Sequence, residues 1–263
     1  MNNKPIGIFD SGLGGLSVWR EVYAMLPGES LIYYGDGKNC PYGSRPEEEV
    51  MKFTVEALEF LLGKGVKLVV VACNTATAAA IDLVRKKYDI PIVGMVPAVK
   101  PAAMSTRTGT VAILATKRSL EGEKLHQYKN MYAYGLNVIP VVGEGFVELV
   151  EDDREDSPEA LEIVRSVVEP LIAQGADRIV LGCTHYPFLS HLIREVIGGR
   201  DVEIVDPAPA IARRVRQLLS ENDMAAGEGH KPEYGFYTLA GDDYVGKMIR
   251  KSGIDPGKVI EKK

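Results

Sequence analysis

Val69-Val70-Val71-Ala72-Cys73-Asn74-Thr75-Ala76-Thr77 decides the reading of the fold, because its logic recurs at Ile179-Val180-Leu181-Gly182-Cys183-Thr184-His185-Tyr186-Pro187. In each stretch a short apolar run reads as a buried parallel strand. The run ends in a small residue and a cysteine, followed by polar residues and a helical pattern. Ligands of open α/β sheets gather at the carboxyl ends of strands. Both thiols therefore stand where chemistry is expected, one in each half of the chain.

Working outward, Pro5-Ile6-Gly7-Ile8-Phe9 reads as a first strand and Asp10-Ser11-Gly12-Leu13-Gly14-Gly15 as its turn. Trp19, Val22, Tyr23 and Leu26 then fall at the spacing of one helix face. Leu31 to Tyr34 forms a second strand, followed by the turn-rich loop Gly35 to Gly43. Ser44 stands three residues before Glu47 with Pro46 between, the pattern of a capping box opening a helix to about Leu62. Lys67 to Ala72 is the strand that delivers Cys73, and Ala76 begins the next helix. The alternation continues through strands at 90–96, 111–115 and 138–142. Asp156, three before Glu159, is the expected cap of a helix from Pro158 to about Ala173. After Cys183 come a helix from Pro187, a strand at 202–205, a helix through Ile211, Val215 and Leu218, a strand at 236–239, a last helix and a charged tail. Strand and helix alternate throughout, which predicts an α/β protein. The repeated half-pattern predicts two facing, pseudo-symmetric α/β domains with mostly parallel central sheets.

A chain of 263 residues, 46% hydrophobic and 25% charged, has ordinary globular composition and ample length for sizeable cores. The net charge of −5 supplies no basic field, so no nucleic-acid partner is expected. The Arg213-Arg214-Val215-Arg216 run reads as a solvated helix face. Three cysteines without a disulfide-framework spacing suit a reducing cytoplasm. The N-terminus runs directly into a strand, leaving no room for a secretory signal. No apolar stretch approaches the roughly 20 residues that span a bilayer.

A cysteine at a strand end is most often a small core residue. Here both thiols are followed by hydroxyl, amide or imidazole groups and then by a helix start, surroundings that lower a thiol pKa. Cys40, before Pro41, lacks that context and reads as structural. Asp10 could be only the N-cap of the next helix, and Ser11 with its glycines only a tight turn. The loop is a poor nucleotide fingerprint, since Ser17 stands where glycine or alanine is needed. His185 beside Cys183 suits acid–base work. His126, His191 and His230 have no metal-ligand spacing, and a zinc site from Cys73, Cys183 and His185 remains an alternative.

Asp10-Ser11-Gly12, Pro41-Tyr42-Gly43, Cys73-Asn74-Thr75 and Gly182-Cys183-Thr184-His185-Tyr186-Pro187 closely resemble the signatures of bacterial glutamate racemases, in the aspartate/glutamate racemase superfamily. Val96-Pro97-Ala98-Val99-Lys100-Pro101-Ala102 and Asp206-Pro207-Ala208-Pro209-Ala210 extend the likeness over nearly the whole chain. The resemblance implies two α/β domains with the active site between them, residues 1–96 with 208–263 forming the first and 97–207 the second. It further implies cofactor-independent conversion of L-glutamate and D-glutamate, supplying D-glutamate for peptidoglycan, in a cytoplasmic enzyme that commonly dimerises.

By that resemblance Cys73 and Cys183 are the acid–base pair, Cys73 taking the α-proton of D-glutamate and Cys183 that of L-glutamate. Asp10 and His185 assist the two thiols. Ser11, Tyr42, Gly43, Asn74, Thr75 and Thr184 hold the substrate, with Thr116 a weaker candidate for a carboxylate. One region departs: many relatives carry Cys-Pro-Leu where this chain has Gly143-Glu144-Gly145, although Glu151 keeps the position of an acidic residue near the pocket. An aspartate racemase, a one-thiol decarboxylase or isomerase, and a non-enzymatic glutamate-binding protein are the rival readings.

Overall fold

The computed structural model describes residues 1–262. The chain opens with β1 (Ile6–Asp10), α1 (Leu16–Met25), β2 (Leu31–Gly35), α2 (Glu47–Gly63), β3 (Leu68–Val71), α3 (Asn74–Lys87) and β4 (Ile92–Gly94). It continues with α4 (Val99–Ser105), β5 (Thr110–Ala115), α5 (Lys117–Glu121), α6 (Glu123–Tyr132), β6 (Asn137–Val142), α7 (Phe146–Glu151), α8 (Pro158–Ala173), β7 (Arg178–Gly182), α9 (Ser190–Ile197) and β8 (Glu203–Val205). The last elements are α10 (Ala208–Glu221), β9 (Tyr234–Tyr237), α11 (Asp242–Ser252) and β10 (Val259–Lys262). Two compact units result, one from Met1–Met95 with the segment from Ala208 onward, the other Val96–Pro207.

The first unit holds a six-stranded sheet of order β10-β9-β2-β1-β3-β4, parallel throughout. Every residue of β1 and β3 is buried, because helices cover both faces and a parallel strand between them has no solvent side. On one face α2 and α3 pack Val50, Leu58, Leu61, Ala76 and Ala80 against Phe9, Val69 and Val71. On the other, Trp19 of α1 lies against Tyr33, Tyr234 and Phe236. Register sets the level of the carboxyl edge. Asp10 pairs with Gly35, Phe9 with Val71, and the Ala72 N–H donates to the Phe9 carbonyl at 2.8 Å. Asp10, Asp36 and Cys73 therefore emerge on one rim.

The second unit has a four-stranded parallel sheet, β6-β5-β7-β8. Ala115 at the end of β5 pairs with Val142 of β6 and Gly182 of β7. Thr116, Gly143 and Cys183, each the next residue of its strand, thus share one edge. The α/β alternation and the parallel sheets agree with the sequence reading.

Three local expectations need correction. The helix at 47 has Pro46 at its N-cap position and no side-chain cap, so Ser44 caps nothing there. Ser157, not Asp156, caps α8, accepting from the Ala160 N–H at 3.2 Å. The charged tail contains a strand, β10, paired with β9.

Candidate active site

In the first unit, β1 delivers Asp10 to the rim, where it is fully buried. Its Oδ1 accepts from the Gly12 N–H at 2.9 Å, so Asp10 shapes its own turn, and the N-cap position of α1 belongs to Gly15. Tyr33 Oη donates to the Gly12 carbonyl at 2.7 Å and holds that turn from β2. Cys73 is the N-cap residue of α3. Its Sγ accepts from the Ala76 N–H at 3.4 Å and donates to Ser11 Oγ at 3.5 Å. A sulfur at this position lies at the positive end of the helix dipole, which favours thiolate.

The adjoining loop is built on Asp36, which the sequence reading missed. Tyr42 Oη donates to Asp36 Oδ2 at 2.6 Å, and Asn39 Nδ2 lies 3.0 Å from each carboxylate oxygen. Burial, followed by the charge of Asp36 and the hydrogen bond to it, pushes the Tyr42 phenol far above the ordinary tyrosine range, and the Cys73 thiolate pushes the same way. Tyr42 is therefore a fixed donor beside Cys73, and Gly43 follows it, half-buried. The available signal was positional: Asp10 ends β1, and Asp36 stands one residue beyond Gly35, its register partner at the end of β2.

Asn74 is the most telling residue of this half. It is 4% exposed, and both its amide nitrogen and its amide oxygen are buried without a hydrogen-bond partner. Buried polar atoms are nearly always paired, and an orphaned donor and acceptor on one side chain fit a ligand that carries both. Thr75, its neighbour in sequence, and Ser11, after β1 at the same rim, are also buried.

In the second unit, β7 delivers Cys183, and Thr184, His185 and Tyr186 follow in a tight turn closed by the Tyr186 N–H on the Cys183 carbonyl at 3.2 Å. Cys183 Sγ lies 3.7 Å from His185 Nδ1, and His185 Nε2 lies 2.6 Å from Glu151 Oε1. A carboxylate only accepts, so Nε2 carries a proton, and Nδ1 can take the thiol proton or return it. Cys183, His185 and Glu151 thus form a chain along which a proton can pass. The Tyr186 phenol is raised well above its ordinary value, first by burial and then by the Cys183 charge. Thr184 is buried, whereas Thr116 caps α5 by accepting from the Ser119 N–H at 3.3 Å and donating to Ser119 Oγ at 3.0 Å.

Positions 143 and 145 leave little room for a side chain. A Cβ at Gly143 would stand 2.8 Å from the ring of Tyr186, and Gly145 has φ +78°, where a side chain is strained.

Thiols at the carboxyl ends of parallel strands, one at a helix start and one on an imidazole–carboxylate pair, define an α/β protein equipped for acid–base chemistry. Residues 8–215 match the Asp/Glu/Hydantoin racemase family. A glutamate racemase of Roseiflexus sp. (strain RS-1) is 49% identical over 222 residues, covering 84% of this chain and 81% of the relative. The crystal structure of a glutamate racemase isoform from Bacillus anthracis superposes with TM-score 0.86 at 30% identity, over 99% of this chain and 97% of that one. The Escherichia coli glutamate racemase, solved with L-glutamate and the activator UDP-MurNAc-ala, gives 0.84 at 30% identity, over 98% of each chain. The chain belongs to the Asp/Glu/Hydantoin racemase family and is an enzyme of the isomerase class. The signatures read from its motifs agree with these relatives.

Proposed function

We propose that the protein interconverts L-glutamate and D-glutamate by a two-base reaction needing no cofactor. The carrying observation is that each strand-end thiol has its own proton partners: Ser11 and the α3 terminus for Cys73, His185 and Glu151 for Cys183. Racemisation requires a base on one face of Cα and an acid on the other. Starting from L-glutamate, the Cys183 thiolate takes the α-proton: the Cα–H bond breaks, an S–H bond forms, and the electron pair moves toward the α-carboxylate. Cys73 then gives its thiol proton to the opposite face. From D-glutamate the roles exchange.

An α-proton is weakly acidic, so thiolate basicity alone is inadequate, and preorganised donors at the carboxylate must lower the barrier. Asn74, with its unpaired amide, fills that role with Thr75 and Thr184. Ser11, Tyr42 and Gly43 complete substrate contact, and Asp10 and His185 assist the two thiols. In this reading each compact unit supplies one thiol. Product D-glutamate would serve peptidoglycan and cell-wall synthesis, a role that the UDP-MurNAc-ala bound to the E. coli relative favours. A homodimer in the cytoplasm suits that role. None of the described helices is long and apolar enough to cross a membrane.

The test is purified protein with L-glutamate in deuterated buffer, with chelator and no added cofactor. Loss of optical activity together with deuterium entry at Cα is expected, and Cys73→Ala or Cys183→Ala each abolishes racemisation. Turnover of aspartate alone, or racemisation that survives loss of either thiol, would overturn the reading.

A further inference from the structure

Gly143 lies against the ring of Tyr186, and this contact reaches the thiol through two short steps. Tyr186 is 1% exposed and meets Phe146 edge-on, with ring centroids 5.1 Å apart at 76°. Its hydroxyl donates to the Gly143 carbonyl at 3.4 Å, a long bond, so the ring rather than the hydroxyl makes the seat. Phe146 opens α7, a helix of only six residues whose last residue is Glu151. Tyr186 itself follows His185. The ring therefore touches the start of the helix that carries Glu151 while its own backbone continues the turn that carries His185 and Cys183. The ring thus adjoins both elements that carry the 2.6 Å Glu151–His185 contact.

We propose that Tyr186, seated against Gly143 and Phe146, is a positioning residue that fixes Glu151 against His185 and so governs proton transfer at Cys183. The proposal rests on the two-base reading above and adds to it a device confined to one thiol. In this chain glycine at 143 leaves room for the ring, and left-handed Gly145 turns the chain into α7.

The experiment compares Gly143→Ala, Tyr186→Leu and Tyr186→Phe with wild type, measuring kcat, KM and the α-deuterium isotope effect from each enantiomer. Gly143→Ala and Tyr186→Leu are expected to lower kcat by about 10- to 100-fold with KM changed by less than about threefold, the scale of a catalytic group moved by roughly 1 Å. Tyr186→Phe keeps the ring and should stay within about threefold of wild type. Slowing the Cys183 step makes it rate-limiting. From L-glutamate that step breaks the Cα–D bond, so the isotope effect grows. From D-glutamate the bond is broken earlier, at Cys73, so the effect shrinks. A general loss of structure would not separate the two directions. Should Gly143→Ala fail to fold, the contrast between Tyr186→Leu and Tyr186→Phe decides alone. A working wild-type racemase whose variants keep wild-type kcat, or shift both isotope effects together, overturns the interlock. A wild type inert towards glutamate overturns the two-base reading itself.

Discussion

Replacing Gly15 by alanine isolates one distance. The backbone at Gly15 has φ −61° and ψ −10°, which any L-residue adopts, so the substitution brings no dihedral strain. A Cβ there would stand 2.4 Å from Asp10 Cβ and 2.9 Å from Tyr33 Oη. Non-bonded carbons settle at about 3.5–4.0 Å. Asp10 must therefore retreat by about 1 Å, and because a Cβ is fixed to its backbone no side-chain rotation relieves it. Overpacking of this kind costs about 1–3 kcal/mol. For a unit of this size that lowers Tm by about 2–4 °C per kcal/mol. A carboxylate displaced by about 1 Å from its working position should slow turnover about 100-fold. Polarimetry on glutamate measures the rate, and thermal unfolding by circular dichroism measures the stability. Gly28→Ala, which meets nothing within 4 Å, is the control and should be silent in both. A Gly15→Ala protein with wild-type rate would show that the place of Asp10 does not matter. One with wild-type stability would refute the contact.

Three further outcomes follow from other residues. Lys67 and Glu29 form a buried ion pair at 2.5 Å, with Lys67 also donating to the Asn2 carbonyl at 2.6 Å and Glu29 accepting from the Ala226 N–H at 2.9 Å. Lys67→Met should cost about 3–5 kcal/mol by stranding the carboxylate, and adding Glu29→Gln should recover part of it; equal loss in urea melts of the single and double variants would refute the coupling. Burial works to raise the Asp177 carboxyl, yet hydrogen bonds from Thr106 and the backbone of Arg107 and Thr108, with the Arg178 charge, hold it below its ordinary value. A depressed carboxylate stabilises the fold above its unfolded pKa and loses that contribution as pH falls through the folded one. Asp177→Asn should therefore destabilise by about 1–3 kcal/mol near pH 7, with the gap to wild type closing only below the ordinary carboxylate range, as pH-dependent melts would show. Trp19 is the single tryptophan and is fully buried in the first unit, so its fluorescence reports that unit alone. Urea transitions followed by fluorescence and by the far-ultraviolet signal should separate wherever the units unfold independently.

What was legible in the sequence was whatever repeats along it. Apolar runs gave the parallel strands, and the two strand-end cysteines marked the rims, because a buried strand and a helix start leave local traces. Caps were misjudged where several polar residues adjoin. Ser157 prevails over Asp156 because it is the residue with extended backbone immediately before the helix, and residue type alone does not reveal that. β10 was hidden because Val259-Ile260-Glu261-Lys262 is short and charged, as edge strands commonly are. Glu151 and His185 come from separate segments, so no spacing within either motif announces their pairing, and Asp36 meets Tyr42 across an irregular loop that has no periodicity to read.

The order of strands in the larger sheet also bears on how the protein is made. β2 takes β9 as its neighbour, and Trp19 of α1 packs on Tyr234 and Phe236 of the same strand. A chain leaving the ribosome therefore presents residues 1–95 with one strand edge unpaired and an aromatic face bare until Tyr234–Tyr237 has been made. The uninterrupted unit from Val96 to Pro207 has all its strands by then. Residues 1–95 are made before the later of these two units but close after it, and during that interval their open edge is the segment most in need of a chaperone.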